Sequence, residues 1–192
     1  GRDLLTRIIV GAQTTIFSAL ALVAGITIIG TIVGIICGYV GGWIDSLLMR
    51  ISDIFLAFPE MVFAIAIAGV LNGGIWSAAI AVGLIAWPRY ARVARSQVLS
   101  MKNHQYMNAA KLTGTPWYKM IVKHIMPNIM GPIIVTAALD IGAMIMNLAG
   151  LSYLGLGVVP PTPEWGSMMS EGRSMLQTSP WIVLAPGLAI FI

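Results

Sequence analysis

The chain has 192 residues, of which 58% are hydrophobic and 9% are charged, and its formal net charge is +4. A soluble domain of this size needs a mostly polar exterior, with about a quarter of its residues charged. This composition therefore excludes a soluble domain and places the excess apolar surface against lipid. The single cysteine, Cys37, excludes an internal disulfide and a cysteine-built metal site.

In chain order, five apolar runs approach the roughly 20 residues that a helix needs to cross the hydrocarbon of a bilayer. They cover residues 14–39, 51–71, 75–94, 128–151 and the stretch from 180 onwards. The first carries Gly30, Gly34 and Gly38 on one helix face, where a neighbouring backbone can approach closely. Pro59 is expected to kink the second. We therefore predict an all-α polytopic membrane protein with about five spans, and we expect it to be part of a longer protein because it starts without an initiator methionine and stops inside an apolar run.

The basic residues predict the orientation of these spans. Seven of the eleven Lys and Arg residues lie between positions 89 and 123, and no acidic residue lies between Glu60 and Asp140. Such an excess of positive charge between two spans is typical of a cytoplasmic loop. We expect loop 95–127 to be cytoplasmic and loop 152–179 to lie outside. No nucleic-acid partner is expected, because the positions of the charges follow a membrane topology.

The cytoplasmic loop contains signals for two helices joined by a tight turn. Residues 92–112 lack Gly and Pro and can be helical throughout. Gly114 then occupies a position where a left-handed residue ends a helix, and Thr115-Pro116 follows as an N-cap and a first-turn proline. The second helix is expected to run to about Ile125, and Pro127 is expected to end it.

Small side chains mark one part of this loop. Ala109 and Ala110 give the first helix a shallow profile, with Met107 and Leu112 as apolar contacts, so a groove on another protein could accept the helix closely. The alternative is a solvated connector between two spans, which is what most basic loops are.

The same residues resemble the signature loop of bacterial ABC-importer permeases, which reads Glu-Ala-Ala, three residues, Gly, nine residues, Ile-x-Leu-Pro. Ala109, Ala110, Gly114 and Pro127 fall in register with that pattern. The positions of its Glu, Ile and Leu are taken by Asn108, His124 and Met126. The form of residues 124–128 is similar to the branch that imports oligopeptides, dipeptides, and nickel or metal chelates. Other motifs of that branch follow in order: Gly1-Arg2-Asp3, Gly11-Ala12, Gly38-Tyr39-x-Gly41-Gly42-x-x-Asp45, Met49-Arg50-x-x-Asp53, Pro59, 151–157 and 160–166.

The resemblance implies the transmembrane domain of a type I ABC importer, of the second-permease (C) type, with six helices of which about five are present in this chain. It implies a single permease domain over residues 1–192, truncated at both ends, in the bacterial plasma (inner) membrane. The implied partners are the lipid bilayer, a homologous second permease, two cytoplasmic ABC ATPases and an extracytoplasmic substrate-binding protein. Because the ATPases bind ATP and Mg²⁺, this chain is expected to be non-catalytic, with no cofactor and no metal site of its own.

The resemblance also implies which residues contact the ATPase. They are Met107, Asn108, Ala109, Ala110, Leu112, Gly114, Pro116, Trp117 and Tyr118. With Asn at position 108, a salt bridge from the family's acidic position is not expected.

Four polar residues lie near or inside the predicted spans, where such groups are often functional. Asp53 and Glu60 are seven residues apart, hence on about one helix face, and Asp53 is expected to pair with Arg50. Asp140 and Asn147 are candidates for lining the pathway or for bonding between helices. An ion-coupled transporter or a channel that uses Asp140 is the alternative function.

The predicted outer loop is made rigid by Pro160, Pro161 and Pro163, and it carries Glu164 and Trp165. It is a candidate docking surface for the substrate-binding protein. An interfacial cap on the permease pair is the alternative.

Overall fold

The computed structural model describes residues 3–102 and 104–191, and none of these residues lies in a β-strand. The all-α class predicted from the sequence is therefore confirmed for this part of the chain. The described helices are α1 (Leu4–Val40), α2 (Gly42–Leu56), α3 (Glu60–Val70), α4 (Ile75–Lys102), α5 (Gln105–Leu112), α6 (Trp117–Lys119), a π-helical turn (Met120–Ile125), α7 (Met126–Tyr153), α8 (Trp165–Gly172), a 3₁₀ turn (Arg173–Met175) and α9 (Trp181–Phe191).

Two of these helical segments are long and apolar enough to cross a membrane. They are Leu4–Val40 and Trp117–Tyr153, with mean hydropathies of 2.6 and 1.9 over 18 residues. A third span results if α2 and α3 are counted together, and α9 is a shorter apolar helix. Helix α4 is apolar only in its first half, because Arg89, Arg92 and Arg95 follow. The count of five spans stays a prediction.

The second predicted span is broken instead of kinked. Helix α2 ends at Leu56, and α3 begins at Glu60 with Pro59 as its extended N-cap residue (φ −59°, ψ 121°). A proline disfavours helical geometry in the residue before it, which explains why the helix stops before Pro59. Asp53 and Glu60 therefore lie on separate helices, and the prediction that they share one helix face is wrong.

The described residues belong to two compact units. Unit 1 comprises Gly1–Val23, Phe58–Ile85 and Asp140–Ile192, and unit 2 comprises Ala24–Ala57 and Ala86–Leu139. The single permease domain over residues 1–192 stays a prediction.

In unit 2, α1 and α4 pack closely along the predicted glycine face. A Cβ atom at Gly38 would lie 2.7 Å from the Cβ of Val98, and Gly30 and Gly34 meet α4 at least as closely. Such distances leave no room for a side chain, so glycine is required for the approach of the two helices. The prediction from the four-residue glycine spacing is confirmed.

Ion pairs in unit 2 join α4 to the α1–α2 region. Arg95 binds Asp45 in α2 with two hydrogen bonds, of 2.5 and 2.6 Å, and Lys102 donates to the backbone oxygen of Tyr39 at 3.0 Å. Arg92 pairs with Asp53. The expectation that Asp53 pairs with Arg50 is therefore wrong, because α4 lies close enough to offer a different guanidinium.

In unit 1, Glu164 and Trp165 of the predicted outer loop belong to the core. The Glu164 side chain, only 3% exposed, caps α8 by accepting hydrogen bonds from the backbone N–H groups of Gly166 (2.9 Å) and Ser167 (2.8 Å). Trp165 is also buried and donates from Nε1 to the backbone oxygen of Ile8 at 3.0 Å. These two side chains are thus not a docking surface, and a cap on the permease pair stays a prediction.

Candidate functional site

The loop predicted to be cytoplasmic, 95–127, folds entirely within unit 2. Helix α4 ends at Lys102 and α5 begins at Gln105, so the prediction of one helix over residues 92–112 is wrong; position 103 lies outside the described residues. The backbone oxygen of His104 accepts from the N–H of Met107 (3.0 Å) and that of Asn108 (3.3 Å) and so starts α5. A lack of Gly and Pro permits a continuous helix but does not require one.

The turn after α5 has the geometry predicted from Gly114. This residue has φ = +74°, in the left-handed region, and the N–H of Thr115 donates to the carbonyl of Ala110 at 3.1 Å. That bond, from the residue after the glycine back to the last turn of the helix, is the Schellman motif. The predicted helix cap is therefore confirmed.

The second helix starts and ends differently from the prediction. Pro116, not Thr115, is the N-cap residue of α6 (φ −66°, ψ 149°). The π-helical turn then leads without a break into α7, and the N–H of Met126 donates to the carbonyl of Ile121, five residues back. In a regular α-helix the ring of Pro127 would clash with the carbonyl four residues earlier. The wider turn shifts these carbonyls, so Pro127 does not end the helix.

Met107 faces the interior of unit 2. Its side chain is 1% exposed and lies in an apolar cluster with residues of α4, the π-helical turn and α7, including Met101, Met120, Ile125 and Ile129. Burial of a methionine side chain stabilises a fold by about 1.5–3 kcal/mol. Met107 is therefore an anchor that fixes α5 to the unit, and its prediction as a direct contact to an ATPase is wrong.

Most of the other predicted contact residues are exposed. Leu112 is 89% and Trp117 is 65% exposed, and Asn108, Ala109, Gly114, Pro116 and Tyr118 are also at the surface. Ala110 is half-buried and packs against the apolar cluster. We call the exposed residues Asn108, Ala109, Leu112, Gly114, Pro116, Trp117 and Tyr118 the docking surface. Large apolar side chains exposed together commonly mark an interaction site.

Two exposed residues beside this surface were not predicted. Tyr106, in the first turn of α5, has its ring 5.7 Å from that of His104 and 6.5 Å from that of His124. Val122, in the π-helical turn, is exposed and follows Tyr118 by four residues. A spacing of four places side chains on one helix face, which is the signal that could have identified Val122.

The charge near the docking surface is positive. Lys119 and Lys123 are exposed, and the sequence has no acidic residue from 61 to 139. The hydrogen bonds from Arg95 to Asp45 raise the pKa of the guanidinium above its ordinary value, so this side chain stays positively charged. Arg95 therefore contributes to the stability of unit 2 and not to the exposed charge.

The two predicted polar residues of α7 lie in unit 1. Asp140 is buried, and Asn147 is half-buried. The side-chain amide of Asn147 donates to Oε1 of Glu60, the first residue of α3, at 3.0 Å. This is an inter-helix hydrogen bond of the expected kind. A role of either residue in lining a pathway stays a prediction.

Comparison with known proteins supports the family predicted from the loop motif. The profile of the binding-protein-dependent transport system inner membrane component family matches residues 30–192. Over the full chain, identity is 43% to the dipeptide transport system permease protein DppC of Alkalihalophilus pseudofirmus. It is 38% to the probable D,D-dipeptide transport system permease protein DdpC of Escherichia coli K12, and 41% to the glutathione transport system permease protein GsiD of Escherichia coli O6:K15:H31.

The chain covers 63% of the length of the first and third of these relatives and 64% of the second, so it spans somewhat less than two thirds of each. The profile match extends over most of the chain and includes α4, the docking surface and α7. The chain therefore belongs to the family of binding-protein-dependent transport system inner membrane components, the permeases of ABC importers.

Proposed function

We propose that the chain is part of a permease subunit that carries short peptides across a bacterial inner membrane at the expense of ATP. The named substrates of the three relatives support this choice, since dipeptides, D,D-dipeptides and glutathione are all short peptides. None of these names supports nickel or a metal chelate, so that substrate class stays a sequence-based expectation. Nor does the family favour an ion-coupled transporter or channel that uses Asp140, because its members depend on a binding protein.

The proposed assembly contains a second permease, two cytoplasmic ATPases and an external substrate-binding protein. The family description supports the binding protein directly. A separate ATPase is supported by the sequence, because these 192 residues contain no Gly-x₄-Gly-Lys-Ser/Thr loop for the phosphates of ATP. The energy for transport then has to reach this chain through contact with another subunit.

The observation that carries the coupling role is the opposite orientation of two neighbouring side chains. Met107 is held in the apolar cluster of unit 2, whereas Leu112, five residues later, is almost fully exposed. A helix anchored on one side and apolar on the other is suited to a groove on a partner. We assign that groove to the ATPase. Because Asn108 is uncharged, the contact depends on shape and apolar burial and not on a salt bridge from this position.

Transmission of motion follows from how the docking surface is attached. Its anchor, Met107, shares a cluster with Val98 in α4 and Ile35 in α1, and the glycine face holds α1 and α4 together. A displacement imposed on α5 by closure of the ATPases would therefore move these helices of unit 2 as one body. Interfaces packed this closely shift between discrete arrangements and do not deform gradually.

Uptake of a radiolabelled dipeptide into vesicles that contain the assembled transporter tests the proposal. We expect uptake to require both ATP and the binding protein, and to persist when ionophores collapse the proton and sodium gradients. Uptake that survives ATP depletion but stops with the ion gradients would overturn the proposal in favour of the ion-coupled alternative.

A further inference from the structure

The hydrogen bond between Glu60 and Asn147 belongs to a contact of α3 with α7 in unit 1. Close packing continues one turn further along α7, where a Cβ atom at Gly150 would lie 2.7 Å from the methyl carbon of Met61. The end of the flexible Met61 side chain thus packs over Gly150, so α3 and α7 are also in contact at this point.

This contact of α3 with α7 presents acceptor atoms to its surroundings. A carboxylate can only accept hydrogen bonds, so the amide nitrogen of Asn147 must face Glu60 and its amide oxygen is directed elsewhere. Within residues 3–102 and 104–191, no further hydrogen bond to the second carboxylate oxygen or to this amide oxygen is found. Both side chains are half-buried and accessible.

The position of Glu60 in the sequence and in the fold argues against contact with lipid. The residue lies in the middle of the apolar run 51–71, directly after the break in its helix. At membrane depth, backbone outside a helix is tolerated only against protein or water. Phe58, at the break, is 53% exposed in this chain. A carboxylate facing lipid at this depth would also cost several kcal/mol. The break and Glu60 therefore face protein or water and not lipid, and the translocation pathway is the aqueous space that they could border.

We propose that Glu60 and Asn147 form a binding site for a primary ammonium group, such as the amino terminus of a short peptide, within this pathway. An ammonium group has three N–H donors and no acceptor, which complements a carboxylate and two oxygens that accept no further hydrogen bond within the described residues. A metal ion is a poorer match, because no group of three or more His, Cys, Asp and Glu in the described residues could hold one. The identification of the ligand as a peptide rests on the proposed function.

A labelling experiment with a primary ammonium as the probe tests the site without transport. Asn147→Cys is made together with Cys37→Ser, which removes the one cysteine among these 192 residues. The assembled transporter, in membranes and with or without ATP, is treated with the cationic 2-aminoethyl methanethiosulfonate or its anionic sulfonatoethyl analogue. Adding Glu60→Gln removes the charge and keeps an acceptor. Any effect of Glu60 on the reactivity of the thiol applies to both reagents and cancels in the ratio of their rates.

We expect the preference for the cationic reagent to fall about tenfold when Glu60→Gln is added. The matched control is Met146→Cys, at the adjacent and exposed position of α7, whose preference should not depend on Glu60. An unchanged ratio at position 147 would overturn the proposal. So would the absence of labelling by both reagents in both nucleotide states, because the site would then not border an aqueous pathway.

Dipeptide uptake distinguishes a binding role of Glu60 from a purely structural role of its hydrogen bond with Asn147. Glu60→Gln can still accept the hydrogen bond from Asn147, so a purely structural role predicts uptake at the wild-type rate. An ammonium site predicts that the maximal uptake rate falls about tenfold or more, without a change in the affinity of the binding protein. If the wild-type transporter carries no dipeptide, the proposed function fails, and the labelling result still decides whether the ammonium site exists.

Discussion

Arg95 holds Asp45 with two parallel hydrogen bonds, from Nε to Oδ1 at 2.5 Å and from the terminal Nη2 to Oδ2 at 2.6 Å. The residues are 50 positions apart, and the pair connects the basic half of α4 to the first turn of α2. Only a planar guanidinium can make both bonds at once, so lysine cannot replace arginine here. The pair is a main link between two helices of unit 2.

Arg95→Ala should lower the free energy of unfolding by about 1–3 kcal/mol, because it leaves the mostly buried carboxylate of Asp45 without its partner. The measurement is thermal unfolding of the purified transporter in detergent. The control is Arg50→Ala, which removes an exposed guanidinium and should change the unfolding midpoint little. If the two substitutions lowered the unfolding midpoint equally, the Arg95–Asp45 pair would make no specific contribution to stability.

Gly34→Ala should destabilise the packing of α1 on α4 by about 1–3 kcal/mol, or prevent folding, because a Cβ atom there would lie 2.6 Å from the Cβ of Ala94. Gly25→Ala is the matched control on the same helix, since no atom lies within 4 Å of its added Cβ. Thermal unfolding compares the two variants. If Gly34→Ala is tolerated as well as Gly25→Ala, the close approach of the helices is not as described.

Gly114→Ala should lower the free energy of unfolding by about 1–2 kcal/mol. The backbone at position 114 is left-handed, which disfavours any residue with a Cβ atom although the space around it is open. Gly131→Ala, at a helical glycine with equally open surroundings, should be neutral or slightly stabilising. The same unfolding assay applies, together with the ATPase activity of the complex. If Gly131→Ala lowered the free energy of unfolding as much as Gly114→Ala, the left-handed cap at Gly114 would be excluded as the cause.

Met107→Ala should lower the free energy of unfolding by about 2–5 kcal/mol, because it leaves a cavity in the apolar cluster of unit 2. Leu112→Ala should leave stability nearly unchanged, since its side chain is exposed. Chemical unfolding of both variants gives the comparison. Equal destabilisation would contradict the distinction between a buried anchor and an exposed contact.

Features determined by nearby residues could be predicted from the sequence. The cap at Gly114 and the glycine face of α1 depend on a few residues in one segment, and both are present in the structure. The orientation of Met107 could not be predicted, because it depends on the break before Gln105 and on residues of α7 more than 20 positions away. A pattern of apolar residues does not show which of them face a partner.

The polar residues that pair between helices could not be predicted from the sequence either, because the partners are distant along the chain. Asp53 has a nearby arginine in Arg50, yet it pairs with Arg92 on another helix. Asn147 was identified as a residue able to bond between helices, but nothing in the sequence names Glu60 as its acceptor. Such pairs are set by helix packing, which the spacing of residues within one helix does not determine.

In the proposed mechanism, the docking surface transmits the energy of ATP to this chain. The most direct test is the ATPase activity of the reconstituted complex with peptide-loaded binding protein, measured for Leu112→Glu. The control is Val159→Glu, which places the same charge at an exposed position of the predicted outer loop. We predict that Leu112→Glu abolishes the stimulation by loaded binding protein, whereas Val159→Glu retains it. Full stimulation in the Leu112→Glu complex would contradict the coupling role of this surface.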